Sequence, residues 1–240
     1  MTSPVNVLFG TRPLVFHAAG KHDNKPAWPR VKCWFEAQPM RRVVPSPRIR
    51  VITCNNGHPD MGLFERSCAK LGLDVAVTGQ GIDPWENARD KPGCILAVLE
   101  RVTTPFVLYV DSRDGILVDD PDLLVSRVED NFPGKELVFG ADRLNWPPIR
   151  QFKAVEDRLA AGSGSDFRYL NGGAWIGRTE VAWQFFAAAA KTAPHPEAPT
   201  SEQGILKSLL ADWSSVVAID YRCDLIQNLG FALDATIALA

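Results

Sequence analysis

The stretch "RIRVITCNNGHPDMGLFERSCAKLGLDVAVTG", residues 48–79, decides the fold class. Ile49, Val51 and Ile52 predict a buried strand that runs into a polar turn at Asn55 and Asn56. Residues 59–72 place Met61, Phe64, Cys68 and Leu71 on one side of a helix that stops at Gly72. Residues 73–79 read as a second strand. Strand, helix, strand is the repeating unit of a parallel sheet.

Working outward, the same alternation continues. Residues 79–93 read as a polar loop and 94–102 as a helix. Residues 104–118 carry a strongly apolar strand that stops at an acidic turn. Residues 120–132 read as a helix with Asp120 as cap and Pro121 at its first position. Residues 136–142 predict a strand, 180–193 an alanine-rich helix, 201–213 an amphipathic helix, and 215–229 a strand and turn. "RYLNGGAWIGRTE" (168–180) has short apolar runs around two glycines, which read most simply as a turn. The fold expected is α/β with a mainly parallel sheet, one domain over 1–240. Residues 29–47 read as a connector, because prolines 39, 45 and 47 interrupt any period. Between 30 and 50, six basic residues (Arg30, Lys32, Arg41, Arg42, Arg48, Arg50) face one acid, Glu36.

The bulk numbers bound the function. The chain has 240 residues, 46% apolar and 22% charged, with a net charge of −2, so a general polyanion binder is not expected. Five dispersed cysteines lack metal or disulfide spacing and suggest reduced thiols in a cytosol. There is no charged-then-apolar leader and no run of membrane-span length, so a soluble, cytoplasmic protein without a membrane partner is expected.

Four stretches carry chemistry, each with a plainer alternative. "VLYVDSRD" delivers Asp111 and Asp114 at a strand end, where both carboxylates can reach one hard cation; it also reads as a solvated turn. "FGADRLNWPP" sets Asp142 and Trp146 on a loop that lines a site or is simply rigid. In "RYLNGGAWIG", Gly172 and Gly173 after Asn171 admit a close-lying ligand or make an ordinary turn. In "TSEQGIL", Glu202 and Gln203 open a helix, as first-turn residues or beside a reacting group.

In this order, "VDSRD … VFGADRLNWP … RYLNGGAWIG … SEQ … DYRCDLIQNL" resembles the glycosyltransferase domain of the procollagen lysyl hydroxylase family and its bacterial and viral relatives. The likeness spans roughly residues 48–234. It implies a GT-A fold, a nucleoside-diphosphate sugar donor, usually a UDP-sugar, and a divalent metal, usually Mn²⁺, with Mg²⁺ as the alternative. Carried over, Asp111 and Asp114 are metal ligands and Asn55 and Asn56 lie near the nucleotide. Asp142, Trp146, Asn171, Gly172 and Gly173 line the sugar pocket, with Gln203 beside it. Glu202 or Asp142 acts as base or orients the acceptor, a hydroxyl on protein, glycan or a modified DNA base. Two positions depart from the pattern: Arg113 stands where an aromatic is common, and the family's longer acidic run is reduced to Glu202.

The family's closing histidine segment is not found after "QNL". "PLVFHAAGKHDNKPAW", with His17, Gly20, Lys21 and Lys25, resembles it, and resembles the H-x-x-G-x-x-KPW ending of glycogenin-type transferases. Circular permutation accounts for this. Residues 1–28 are the relocated metal and diphosphate segment, 29–47 the connector and 48–240 the body. His17 is then the third metal ligand and is expected beside Asp111 and Asp114; the alternative is a polar turn residue. Two rival functions accompany this reading. One is a viral-type DNA glycosyltransferase, suggested by the basic 30–50 segment. The other is a non-catalytic nucleotide-sugar-binding module.

Overall fold

A computed structural model describes residues 3–20 and 25–239. The chain opens with β1 (Pro4–Asn6), β2 (Val15–His17), α1 (Trp28–Ala37), β3 (Ile49–Cys54), α2 (Leu63–Lys70) and β4 (Ala76–Thr78). Next come α3 (Asn87–Leu99), β5 (Phe106–Val110), β6 (Gly115–Leu117), α4 (Asp122–Asn131) and β7 (Leu137–Asp142). The rest is α5 (Arg150–Leu159), β8 (Tyr169–Arg178), α6 (Thr179–Ala189), α7 (Glu202–Trp213), β9 (Val217–Asp220), β10 (Ile226–Asn228) and β11 (Ile237–Leu239).

Nine strands form one sheet in the order β4-β3-β5-β8-β7-β10-β2-β6, with β9 also paired to β7. β8 runs antiparallel to both β5 and β7, and β6 antiparallel to β2; the other pairings are parallel. The expected mainly parallel α/β architecture is therefore present as a mixed sheet. Along β5, Val107 and Tyr109 pack on one face, and Phe106, Leu108 and Val110 on the other. The first face is covered by Ile95, Phe185, Phe186 and Leu206 of α3, α6 and α7, the second by Phe64 and Leu124 of α2 and α4. Burial on both faces is what makes these strands apolar throughout.

The sheet has to curl. β6 lies five places from β5 in the strand order, about 24 Å in a flat sheet at the usual spacing. Only five residue steps join Val110 to Gly115, a reach of at most about 18 Å. The β2–β6 edge therefore bends back over the end of β5. The closeness is such that a Cβ on Gly115 would lie 2.2 Å from Val110 Cγ1. A separate two-stranded ladder pairs β1 with β11, Pro4 opposite Leu239.

Several expectations are corrected. The 29–47 connector begins with a helix: α1 buries Trp28, Val31 and Phe35, and Pro29 sits in its first turn, where no N–H is needed. The three prolines follow it, so only 38–47 lacks regular secondary structure. α3 starts at Asn87 rather than 94, with Pro92 in its interior; Asp90 accepts from Glu86 N at 2.7 Å and holds the start. The stretch around Gly172 and Gly173 is no turn but the ten-residue strand β8. α5 stands where no element was expected, although Phe152, Val155 and Leu159 fall at helical spacing; Phe152 and Glu156 are its buried residues. Five of the six basic residues between 30 and 50 pair with acids, four of them with acids brought from elsewhere in the chain. Arg30 pairs with Asp234, Lys32 with Glu36, Arg41 with Asp119, Arg48 with Asp122 and Glu129, and Arg50 with Asp74. The apparent basic surface behind the DNA alternative is thus largely neutralised. Among the described residues no helix is long and apolar enough to cross a membrane.

Candidate active site

Three strand ends meet at one place. β2 ends at His17, β5 delivers Asp111, and Asp114 immediately precedes β6. The antiparallel register sets His17 opposite Gly115, and Ala18 N donates to Asp114 O at 2.8 Å. Asp111 N donates to Gly173 O at 2.7 Å, which fixes the acid against β8. His17 Nε2 then lies 3.3 Å from Asp114 Oδ1 and 3.7 Å from Asp111 Oδ2. One donor atom from each residue fits within 4.8 Å of the others, a group able to hold a metal ion. Two carboxylates with one imidazole suit Mn²⁺ or Mg²⁺.

The ring and the acids are tuned by one another. His17 is 2% exposed, and its Nε2 is buried without a hydrogen-bond partner among the described residues. Burial opposes its charge, but Asp114 and Asp111 outweigh burial and raise the imidazole to about 10. A cation placed among the three would take over that proton's role. Asp111 is held well below the ordinary carboxylate range; burial works the other way, and the ammonium of Lys91 overcomes it with help from His17. Its Oδ1 accepts from Tyr109 Oη at 2.6 Å and lies 2.8 Å from Lys91 Nζ, which leaves Oδ2 turned to His17.

Lys91 is buried and also stands 3.5 Å from Glu202 Oε1. Glu202, 3% exposed at the start of α7, is pushed upward by burial, with Lys91 pulling the other way. Its Oε1 has no hydrogen-bond partner among the described residues. Lys25 reaches to 3.8 Å from Asp114 Oδ2. Lys21 lies outside the described residues. Gly20, at φ +84°, follows the histidine strand, and a Cβ there would meet nothing within 4 Å.

The double glycine is required by space. A Cβ on Gly173 would lie 2.1 Å from His17 Cε1 and 2.8 Å from Asp111 Oδ2. One on Gly172 would lie 2.8 Å from Glu202 Oε1. Beside them, Asn171 is locked: its Nδ2 donates to Asp142 Oδ2 at 3.1 Å and its Oδ1 accepts from Gly173 N at 2.8 Å. Asp142 is buried and its carboxyl is raised by that burial. The Gln203 amide is committed to Gly172 N at 3.0 Å and Trp146 O at 2.6 Å, so it ties the Trp146 loop to β8. Trp146 itself is 57% exposed, open to a ligand.

Asn55 and Asn56 lie in the turn after β3. Asn55 Oδ1 accepts from Gly57 N and Asn56 Oδ1 from His58 N. Asn55 Nδ2 donates to Glu65, which accepts from Ser112 Oγ inside the acidic turn. The turn and the Asp111–Asp114 segment are thereby coupled, but the described contacts do not bring either asparagine to the cluster itself.

Sequence reasoning missed Lys91 and Asn228. Lys91 falls on the inward stripe Ala88, Lys91, Ile95, Leu99, and a charge on an apolar stripe is the signal; it was hidden while the helix was begun at 94. Asn228, whose Oδ1 lies 2.7 Å from His17 Nδ1, is part of the "IQNL" run. An apolar cavity of about 300 Å³ among Leu14, Trp34, Phe35, Leu71 and Leu117 contains none of these site residues.

No family model matches the chain, and no curated protein matches its sequence. Among solved structures, a glycosyltransferase involved in the glycosylation of the major capsid of PBCV-1 matches with a TM-score of 0.40 and 11% identity, over 71% of this chain and 80% of that one. A likeness of that size assigns no role to any residue.

Proposed function

We infer that this chain is a metal-dependent glycosyltransferase that moves a sugar from a nucleoside-diphosphate sugar, a UDP-sugar by the family resemblance, to a hydroxyl acceptor. The observation that carries the reading is the buried Nε2 of His17, which has no hydrogen-bond partner among the described residues and faces the two carboxylates Asp111 and Asp114. Such an atom is costly to bury unless something binds it. His17, Asp111 and Asp114 would hold Mn²⁺ or Mg²⁺, and the bound cation would supply Lewis-acid stabilisation of charge on a departing diphosphate.

The chain's own residues supply the rest. Lys25 adds positive charge beside Asp114, where it would offset the phosphates. Lys91 holds Asp111 and Glu202 in place by pairing with both. Glu202 and Asp142, both buried and both raised, are the groups fitted to accept or orient the acceptor's hydroxyl proton. The glycines of β8 keep the floor between them open. Pairing of β2 with β10, and of β1 with β11, supports a permuted arrangement in which the front segment completes the site within one domain.

UDP release from a panel of UDP-sugars, each with Mn²⁺, Mg²⁺ or chelator, tests the reading. One donor should turn over with metal, and His17→Ala or Asp111→Ala should lower that rate by at least about 100-fold. Binding of UDP-sugar without release or transfer, with Asp111→Ala altering binding alone, would make the chain a binding module instead.

A further inference from the structure

The "IQNL" run places two amide side chains, Gln227 and Asn228, in strand β10 with no exposure to solvent. Buried amides are expensive unless each polar atom finds a partner. Here they form a continuous relay. Asn6 Nδ2 donates to Gln227 Oε1 at 2.7 Å, and Gln227 Nε2 donates to Asn228 O at 2.7 Å. Asn228 Nδ2 donates to Ala141 O at 2.8 Å, and Asn228 Oδ1 lies 2.7 Å from His17 Nδ1. The space for this is kept by Gly140, where a Cβ would sit 2.7 Å from Asn228 Nδ2.

The relay has one consistent orientation. A backbone carbonyl only accepts, so the atom of Asn228 facing Ala141 O is its NH₂. The atom facing His17 is then its oxygen, which also only accepts. His17 Nδ1 must therefore carry a hydrogen, and in the neutral ring Nε2 is left as a bare lone pair. That lone pair is the one turned toward Asp111 and Asp114.

We propose that Asn228 is a positioning residue that locks the His17 tautomer and ring orientation so that Nε2 is the metal-binding atom. The proposal rests on the metal reading above. Gln227 and Asn6 brace the lock from behind, and Asn6 Oδ1 in turn accepts from Leu8 N at 2.9 Å, so the β1 turn is fastened to β10 through the same chain. Ordinary strand-anchoring amides would hold β10 equally well without turning an oxygen to the imidazole. The lock does both, and the two roles separate under mutation.

Mn²⁺ titrations read by electron paramagnetic resonance test it, with thermal melting alongside. Asn228→Ala removes the acceptor and should weaken Mn²⁺ binding about 10- to 100-fold. Asn228→Asp keeps an oxygen against Nδ1 and should bind Mn²⁺ within about threefold of wild type, although its second oxygen opposes Ala141 O and lowers the melting temperature. Gln227→Met cuts the brace and should lower the melting temperature while Mn²⁺ affinity stays within about threefold. Unchanged affinity in folded Asn228→Ala, or equal losses in Asn228→Ala and Gln227→Met, overturns the proposal. Should wild type take up no Mn²⁺, the metal reading fails separately. The lock then stands or falls on ring ¹⁵N shifts of the Asp111→Asn/Asp114→Asn protein: Nδ1–H with bare Nε2 supports it, and Nε2–H refutes it.

Discussion

Gly173→Ala should close the metal site with a single methyl group. The new Cβ would lie 2.1 Å from His17 Cε1 and 2.4 Å from its Nε2, where ordinary contact begins near 3.4 Å. The ring must retreat by about 1 Å. It has nowhere to go, because Asn228 holds Nδ1 at 2.7 Å and the side chain is 2% exposed. Metal–ligand distances tolerate only about 0.2 Å, so a shift of this size removes the histidine from the coordination set. Overpacking should lower stability by about 1–3 kcal/mol, and Mn²⁺ affinity should fall at least about 100-fold. Calorimetric titration with Mn²⁺, beside urea unfolding, measures both. Gly172→Ala is the comparison: its Cβ meets Glu202 Oε1 and Leu206 Cδ1 at 2.8 Å, so it should keep Mn²⁺ affinity and lose transfer. A folded Gly173→Ala protein that binds Mn²⁺ as tightly as wild type would refute the reasoning.

The remaining predictions concern the scaffold. Glu156 and Lys207 form a fully buried pair at 3.0 Å, and burial drives both toward their neutral forms. Lys207→Met alone should therefore cost about 3–5 kcal/mol in urea unfolding, and adding Glu156→Leu should recover most of it; a double variant no better than the single one sinks this. Asp220 is buried, and burial outweighs its three backbone donors to raise the carboxyl to about 6. Its proton is held more firmly folded than unfolded, so its contribution is full below the ordinary 3.8 and is lost as pH rises through about 6, up to about 3 kcal/mol. Wild type should lose stability relative to Asp220→Asn between pH 4 and 7, and parallel profiles would contradict it. Gly93 lies inside α3 with open space at its Cβ position, so Gly93→Ala should raise stability by about 0.5–1 kcal/mol, with a lowered melting temperature as the contrary result.

How legible each part was depended on whether its cause is local. The 48–79 unit showed itself because Ile49, Val51 and Phe64 repeat at strand and helix periods. The acidic turn was visible because an apolar strand ends on Asp111. α1 was hidden because the prolines at 39, 45 and 47, which lie just beyond it, coloured the reading of the whole 29–47 segment, and the start of α3 because the polar stretch 79–93 includes its first turns. β8 looked like a turn because glycines carry no pattern; what keeps it extended is pairing with β5 and β7 on both sides. The placement of His17 came from motif likeness, not from period. Its contact with Asn228 requires the strand order β10-β2, and the Lys91–Glu202 contact requires α3 to pack on α7, neither of which any single stretch encodes.

The curl of the sheet has a mechanical consequence. His17 and Asp114 ride on the returning edge, whereas Asp111 belongs to the middle of the sheet, so a cation shared by all three is a buckle across the seam. Fastening it would tie the first described strands to the centre of the domain. By mass action, Mn²⁺ at 100 times its dissociation constant would add about 2.7 kcal/mol to whatever opening it spans. The amides of Phe16 and Ile116, on the edge, should then exchange with solvent about a hundredfold more slowly with metal than without, whereas those of β3, outside the buckle, should change little.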